Sequence, residues 1–337
     1  MKYVNPTPIR TSINYGINSF AVADDLIDSK LNYCLPTTTL KCANSKVVTY
    51  SNTLGNAFDS KLQKATCYQI NKSSDTLNVF DFDKPNASYN TYITVGENVN
   101  TNILINLKSG NFSFSACRVD VLKNAHVNLM FLCNFDKNSI NFMQFDVNLN
   151  DFAQVNTYFI NFGSEISVAN YHANLNGENS TNNLYSIYLG KNSNKLDLNY
   201  HMDVYGKNSR AIIKVIGALQ DNADKHFKGT INLHKGCTKS VGDETEECLM
   251  LSNTAHSIAM PNILCDEEDV DGKHATSVGK VDDKILFYLM SRGLTYKESI
   301  MLVVNAGFQN IVSLIPSVFP NINILKQISK ELNYENW

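Results

Sequence analysis

From about Asn78 to Leu251 apolar and polar residues alternate, the period of two that sends successive side chains to opposite faces of a strand. In LDLNYHMDVY, Leu196, Leu198, Tyr200, Met202 and Val204 fall on one side, and Asp197, Asn199, His201 and Asp203 on the other. Phe112 and Phe114, then Val119 and Val121, then Phe145, Val147 and Leu149 repeat the alternation. The strands predicted in this way are short and are punctuated by Asn, Gly, Ser and Asp. No pattern of helical length separates them, which argues against a doubly wound α/β sheet and leaves a sandwich, a barrel or a solenoid. Tight hairpins with Gly in the turn would mark a sandwich, and N-G pairs such as Asn176-Gly177 are scarce. Asn-rich corners suit a stacked β-helix, whose rungs keep unpaired edges until the next rung lies on them. No repeat of fixed length is visible, so the pattern alone leaves sandwich and solenoid both open.

After Lys280 the period changes. Asp282 or Asp283 can cap a helix running through Arg292, with Ile285, Leu286 and Leu289 on one side and Gly293 as a left-handed stop. TYKE, Thr295 to Glu298, has capping-box spacing before SIMLVVNAGF, and Gly307 is expected to end that helix. NIVSLI leads to Pro316 and Pro320, and a last helix carries Ile324, Leu325, Ile328 and Leu332 at helical spacing. This all-helical C-terminal segment is too small to be very stable alone, so its apolar faces need cover from the β region or from another protein. In the first 75 or so residues SFAVADDLIDSKL fits a short helix, while SKVVTYS and ATCYQI read as strands.

Composition narrows the function classes. The 337 residues carry 29 Lys+Arg against 32 Asp+Glu, with no electrostatic footprint for nucleic acid or an anionic membrane. No apolar run is long enough to span a bilayer, and MKYVNPTPIRTSINYG lacks the apolar core of a secretory signal, so a soluble, cytoplasmic protein is expected. The eight cysteines, Cys34, Cys42, Cys67, Cys117, Cys133, Cys237, Cys248 and Cys265, form no C-x-x-C pair and read mostly as small buried apolar residues. The N-x-S/T matches at Asn71, Asn86, Asn111 and Asn179 are what an Asn-rich chain makes by chance.

GCTKS, Gly236 to Ser240, lacks the frame of a phosphate-wrapping Walker loop, so the chain is not read as an ATPase. G-x-S-x-G, H-E-x-x-H and paired C-x-x-C motifs are absent as well. Of the seven histidines, His126, His172, His201, His226, His234, His256 and His274, most are expected to be hydrogen-bonded structural residues. His201 fits that reading beside Asp197 and Asp203. His274 differs, because it sits in EEDVDGKHATSVGKVDD where the β region meets the helices. Cys265 lies nine residues before it and Cys248 seventeen before Cys265. Thiolate and imidazole make a reasonable soft-metal pair, with buried structural cysteines as the alternative.

GALQDNADKHFKGTINLHKGC, Gly217 to Cys237, and LMLSNTAHSIAMPNILCDEEDVDGKHATSVGKVDDKILFYLMSRGL, Leu249 to Leu294, resemble the SufD/SufB family of iron–sulfur cluster assembly proteins. The resemblance rests on the G-x-L-x-D-x-A-x-x-x-F-x-G-x-I pattern, the L-x-L-S…A…P run, the E/D-D-V-x-x-x-H segment and L-F-Y-L-x-S-R-G. It implies a mainly β protein: an N-terminal region over 1–75, a right-handed parallel β-helix over 76–280, and a helical segment over 281–337. That segment would dock the ABC-type ATPase SufC through Phe287, Tyr288, Arg292, Gly293 and Leu294. The end of the β-helix would pair with a SufB-like paralogue or a second copy of the chain.

The SufD branch usually reads D-D-V-K-C-S-H-G-A-T. Its histidine falls on His274 and its cysteine on Gly272, so that thiol is missing; the Glu of its preceding P-x-L-E-I falls on Leu264. The SufB branch has Glu directly after the histidine, where this chain has Ala275, and offers only Glu246, Glu247 and Cys248 near the reactive-cysteine position. The SufD-like assignment is the better one, and implies a non-catalytic scaffold with no stably bound cofactor and a transient iron–sulfur cluster at the partner interface. There His274 would be a partial ligand, with Cys265 and Cys248 as lesser candidates, because nitrogen ligation holds iron more loosely than thiolate does. Two other readings stand beside it: a self-sufficient homodimer building a cluster on Cys248 or Cys265 with His274, and a β-helix enzyme acting on polysaccharide, which would want clustered carboxylates on one β face.

Overall fold

A computed structural model describes residues 2–4, 20–22, 31–51, 58–62, 64–319 and 323–332. Strands dominate them, and the chain winds as a parallel β-helix in which each turn adds one strand to each of two sheets. The first sheet runs from Leu77–Phe82 through Asn100–Leu107, His126–Cys133, Gln154–Asn161, Thr181–Gly190, Arg210–Leu219 and Ser240–Met250 to Val270–Lys280. The second runs from Ala65–Ile70 through Ala87–Val95, Phe112–Val121, Ile140–Leu149, Ile166–Leu175, Lys195–Val204 and Asp224–Leu233 to His256–Cys265. The solenoid is therefore the correct choice over the sandwich, and its parallel ladder starts at Ala65–Ile70, ahead of residue 76. The step between strands in register varies from 25 residues (Thr66 to Thr91) to 32 (Asp224 to His256), which hides the repeat from inspection of the sequence.

The corners explain the asparagines. Asn98, Asn124, Phe152, Asn179, Asn208 and Lys239 all have φ between 52° and 61°. Asn tolerates this left-handed backbone better than most residues. Corner amides donate to the next turn, as Asn124 N does to Asp151 O at 3.0 Å and Asn179 N to Lys207 O at 2.8 Å. On the outer face Asn102, Asn128, Asn156 and Asn183 fall in register and join amide to amide at 2.9, 3.2 and 2.9 Å. These ladders satisfy donors and acceptors that partial burial would otherwise leave costly.

Inside, alternate side chains fill the lumen, as the period of two requires. Leu196, Leu198, Tyr200, Met202 and Val204 are all buried. Phe131 stacks on Phe145 with centroids 3.9 Å apart, and Phe159 meets Phe145 at 5.6 Å. Several strands are buried on both faces. Phe112 and Phe114 point outward, unlike Val119 and Val121, and are covered with Phe142 and Val168 by Leu31, Val48, Tyr50 and Phe58. Asp197, Asn199 and Asp203, on the polar side of LDLNYHMDVY, are likewise buried.

The helical segment folds back on the first sheet. Helix α1 (Asp283–Ser291) is capped by Asp282, whose side chain accepts from Lys284 N, and Gly293 at φ +100° follows its end. Helix α2 (Tyr296–Val312) begins at a full capping box between Thr295 and Glu298. Helix α3 (Ile324–Glu331) follows the Asn323 cap. Ile300, Met301, Val304, Phe308, Ile311, Ile324, Ile328 and Leu332 pack on Leu132, Tyr158, Ile160, Ile187, Leu189 and Ile216, so the chain itself covers most of the segment's apolar surface. Tyr158 donates to Leu314 O at 2.8 Å, and Lys191 to Glu331 O at 2.8 Å.

Three expectations need correction. Gly307 does not end a helix; it lies inside α2, where a Cβ would meet Ile216 Cδ1 at 3.2 Å, so glycine allows the helix to approach the sheet. In α1 only Leu286 is buried, Leu289 is half-buried, and Ile285 is exposed. At the N-terminal end ATCYQI is a strand, but in SKVVTYS only Ser45 and Lys46 belong to one, Asn44–Lys46. Of the proposed helix over SFAVADDLIDSKL, Phe20–Val22 is a strand and 23–30 lie outside the described residues.

Candidate assembly interface

The last turn consists of His256–Cys265, 10 residues, and Val270–Lys280, 11 residues. Among the described residues each is hydrogen-bonded to one neighbour only, and so presents an edge of backbone donors and acceptors that no described strand pairs. Long exposed edges of this kind are templates for another chain. EEDVDGKHATSVGKVDD thus holds a corner, then a strand through Lys280, then the cap of α1; the strand takes most of it, not the first half alone.

His274 is in register with Glu244 on the preceding turn, so both point towards the lumen. Glu244 is completely buried, while His274 is exposed because no further turn covers it. Neither Glu244 oxygen has a well-formed hydrogen bond to the described residues. Burial pushes its carboxyl up to about 8, the Asn262 backbone amide pulls the other way, and Glu246 adds to the rise. It is therefore largely protonated at neutral pH. A Cβ on Gly229 would lie 1.6 Å from Glu244 Oε1, so only glycine leaves room for this side chain across the lumen.

Deeper in, Lys225 Nζ and Glu246 Oε1 are 2.7 Å apart with both side chains fully buried, and Tyr188 Oη donates to the same oxygen at 2.7 Å. A lumen that is aromatic in its middle turns thus becomes polar and ionic in its last two. The alternation carries a readable trace of this: in VGDETEECLM, Glu244, Glu246 and Cys248 share one face, and Lys225 shares another with Phe227, Ile231 and Leu233. What it lacks is the pairing across the lumen.

The sulfur candidates are not gathered round His274. Cys248 is buried and in register with Val278, which puts about 13 Å of strand between it and the His274 position. Burial pushes the Cys248 thiol up, which disfavours the thiolate a metal needs. Cys265 is exposed at the end of the other sheet's last strand, its Sγ donating to Glu267 O at 3.0 Å. Among the described residues neither joins His274 in a group of three ligating side chains. Gly272 faces the lumen, where a Cβ would meet Ile263 Cγ2 at 3.1 Å.

The expected ATPase-docking residues cluster on the uncovered side of α1. Phe287 is 75% and Tyr288 55% exposed, with Ile285 and Met290 exposed beside them. The Arg292 guanidinium lies over the Tyr288 ring at 5.2 Å. Gly293 is exposed and Leu294 half-buried. Far from this face, on the outside of the second sheet, stacking gathers a group that the sequence had scattered: His172, His201, His234 and Asp203. No helix among the described residues is long and apolar enough to cross a membrane.

Comparison with known proteins agrees with the architecture. The family model for the SUF system FeS cluster assembly SufBD core domain matches residues 80–307. The iron-sulfur cluster assembly protein SufD of Bacillus subtilis is 32% identical over 143 residues, 42% of this chain and 33% of that protein. SufD of Escherichia coli is 26% identical over 227 residues, 65% of this chain and 53% of that protein. An iron-sulfur cluster assembly SufBD family protein of Mycobacterium tuberculosis is 22% identical over 254 residues, 75% of this chain but 30% of the relative. The chain thus spans about half or less of the length of these curated relatives.

Proposed function

This chain belongs to the SufBD core family of the SUF system for iron–sulfur cluster assembly, and from that membership we propose that it is a scaffold subunit, without catalytic chemistry of its own, for building a transient cluster. The observation that carries the reading is the last turn, where two unpaired edges frame an exposed, lumen-facing histidine above a buried polar network. A SufB-like chain, or a second copy of this one, adds its strands to those edges and brings the thiolate that this chain does not place beside His274. His274 then holds iron through nitrogen, a grip loose enough for release. The cluster is cargo, not a resident cofactor.

The ATPase docks on α1. Phe287 and Tyr288 leave a contiguous apolar patch on a helix whose capped ends fix its position, and such exposed patches mark protein contacts. Removing the helical segment would strip cover from Tyr158, Ile160 and Ile216. Surface substitutions are therefore the informative test. In a complex reconstituted with a SufB-like chain and a SufC-like ATPase, Phe287→Asp with Tyr288→Asp should release the ATPase and keep the SufB-like chain. His274→Ala should keep both partners and lose cluster assembly. An ATPase that stays on the double variant refutes the docking face. Cluster assembly at the unaltered rate on His274→Ala refutes the role of His274. Native mass measurement separates the paired scaffold from the homodimer, and a stoichiometric cluster on the isolated chain would favour the latter.

A further inference from the structure

We infer that His172, His201 and Asp203 form a binding site for a divalent first-row transition-metal ion on the outer face of the second sheet, with His234 and Asn232 positioning the carboxylate. The site owes nothing to the assembly reading; it rests on the stacking of three consecutive turns. His172 and His201 are in register on neighbouring strands, and Asp203 follows His201 on the same face. His172 Nε2 lies 2.7 Å and His201 Nε2 3.1 Å from the same oxygen, Asp203 Oδ2. The other oxygen, Oδ1, receives His234 Nε2 at 2.6 Å and Asn232 Nδ2 at 3.0 Å.

The spacing fits an ion. Bonds near 2.1 Å in tetrahedral or octahedral geometry set neighbouring donor atoms about 3.0–3.4 Å apart; the His201 distance of 3.1 Å falls in that range, and the His172 distance of 2.7 Å must open by a few tenths of an ångström to admit the ion. The three ligating atoms all lie within 4.8 Å of one another. Two imidazoles and one carboxylate with the remaining positions open are the donor set that borderline divalent ions such as Fe²⁺ and Zn²⁺ accept. The side chains are 14%, 17% and 11% exposed, so the pocket is sheltered yet open to an entering ion.

Hydrogen bonding alone explains the cluster less well. The two rings have centroids 4.7 Å apart, so a doubly protonated pair sets like charges side by side. If both are neutral and donate through Nε2, Nδ1 becomes an acceptor; in His172 it is buried and has no hydrogen-bond partner among the described residues. An ion on Nε2 places the proton on Nδ1, on a ring whose next neighbour in the column is Asp146. Metal-bound histidines commonly orient this second N–H towards a carboxylate. A third imidazole, His234, stacked on Tyr205 at 4.1 Å, steadies Asp203 from its far oxygen.

Calorimetric titration of the full chain with Zn²⁺, and with Fe²⁺ under anaerobic conditions, tests the assignment. A single micromolar site per chain is expected, lost in His172→Ala and in His201→Ala. His234→Ala, which removes only the support of Asp203, should weaken it by roughly 10–100-fold. His256→Ala, in the more exposed Asp224, His226 and His256 group, should leave it unchanged. In case the variants fold poorly, Co²⁺ added to the unaltered chain should shift the ring-proton NMR signals of His172 and His201 and spare those of His274. Absence of a micromolar site, binding that survives both alanine variants, or Co²⁺ shifts confined to other histidines would overturn the proposal.

Discussion

At its first turn the solenoid is closed by its own chain, with Asn44–Lys46 running antiparallel to Ala65–Ile70 and Thr37 bridging to Asp81, whereas at its last turn two long strands each keep an edge that no described strand pairs. The packing differs in the same direction. Towards the closed end the outer face of the second sheet is anchored by aromatic packing, with Phe58 stacked on Phe114 at 4.3 Å and tilted on Phe142 at 5.0 Å. Near the open end the lumen holds the Lys225–Glu246 pair, the protonated Glu244 and, uncovered above it, His274. Repeat folds need their ends covered to stay soluble. One end of this molecule is finished by its own chain, and the other, rich in polar groups, keeps its last strands unpaired among the described residues.

The comparison can be broken by substitution. Phe58→Ala should cost about 3–5 kcal/mol, and hydrogen exchange should localise the loss to the first turns; protection lost evenly through the last turn would mean the two ends are not independent. Lys225→Met should cost about 3–5 kcal/mol at the other end by leaving a buried carboxylate without its cation. Lys225→Met with Glu246→Leu should recover most of that loss, since an apolar pair of similar volume is often no less stable than a buried ion pair. Urea titrations of the single and double variants decide it. A double variant as unstable as the single one would show that the packing around the pair, not the orphaned charge, sets the cost.

Much of the fold was legible. Alternation marked the strands, Asn marked the left-handed corners, and Thr295 with Glu298 marked the start of α2. The failures have physical causes. Phe112 and Phe114 alternate like lumen residues yet face outward, because a sheet buried on both faces is apolar on both. Gly307 carries the signature of a helix end, but the sheet 3.2 Å from its missing Cβ turns it into a packing contact. His274 came from a motif and Glu246 only as a neighbour of the reactive-cysteine position; Lys225, Glu244 and the pairing across the lumen did not come, because lumen neighbours are set by a turn length that drifts between 25 and 32 residues. The same drift hid the meeting of His172, His201, Asp203 and His234.

Glu244 sharpens the contrast through pH. Its carboxyl is raised from an ordinary 4.5 to about 8 in the folded chain. Between those values the native state holds a proton that the unfolded chain has released, so stability falls as pH rises through that window and levels off above it. Glu244→Gln removes the titration while keeping the shape, and should gain on the order of 2 kcal/mol over the unaltered chain at pH 8 and little at pH 5. Denaturation midpoints of the two proteins at both values check this. Parallel curves across the window would place Glu244 in contact with water, and the open end would then be solvated a full turn deeper than its burial indicates.

The smallest effect on stability belongs to the residue with the largest proposed role. His274 is exposed, makes no hydrogen bond to the described residues and stands on the outermost strand. Its replacement by Ala should therefore change stability by no more than about 0.5 kcal/mol. On the scaffold reading proposed above, the environment of this exposed residue is completed by the partner chain and not by its own. Thermal denaturation of His274→Ala alone and in the reconstituted complex makes the distinction. Equal midpoints for the isolated chains, with cluster assembly lost in the complex, are expected. A loss of several kcal/mol in the isolated chain would instead make His274 part of the fold, and the open end would have to be explained without it.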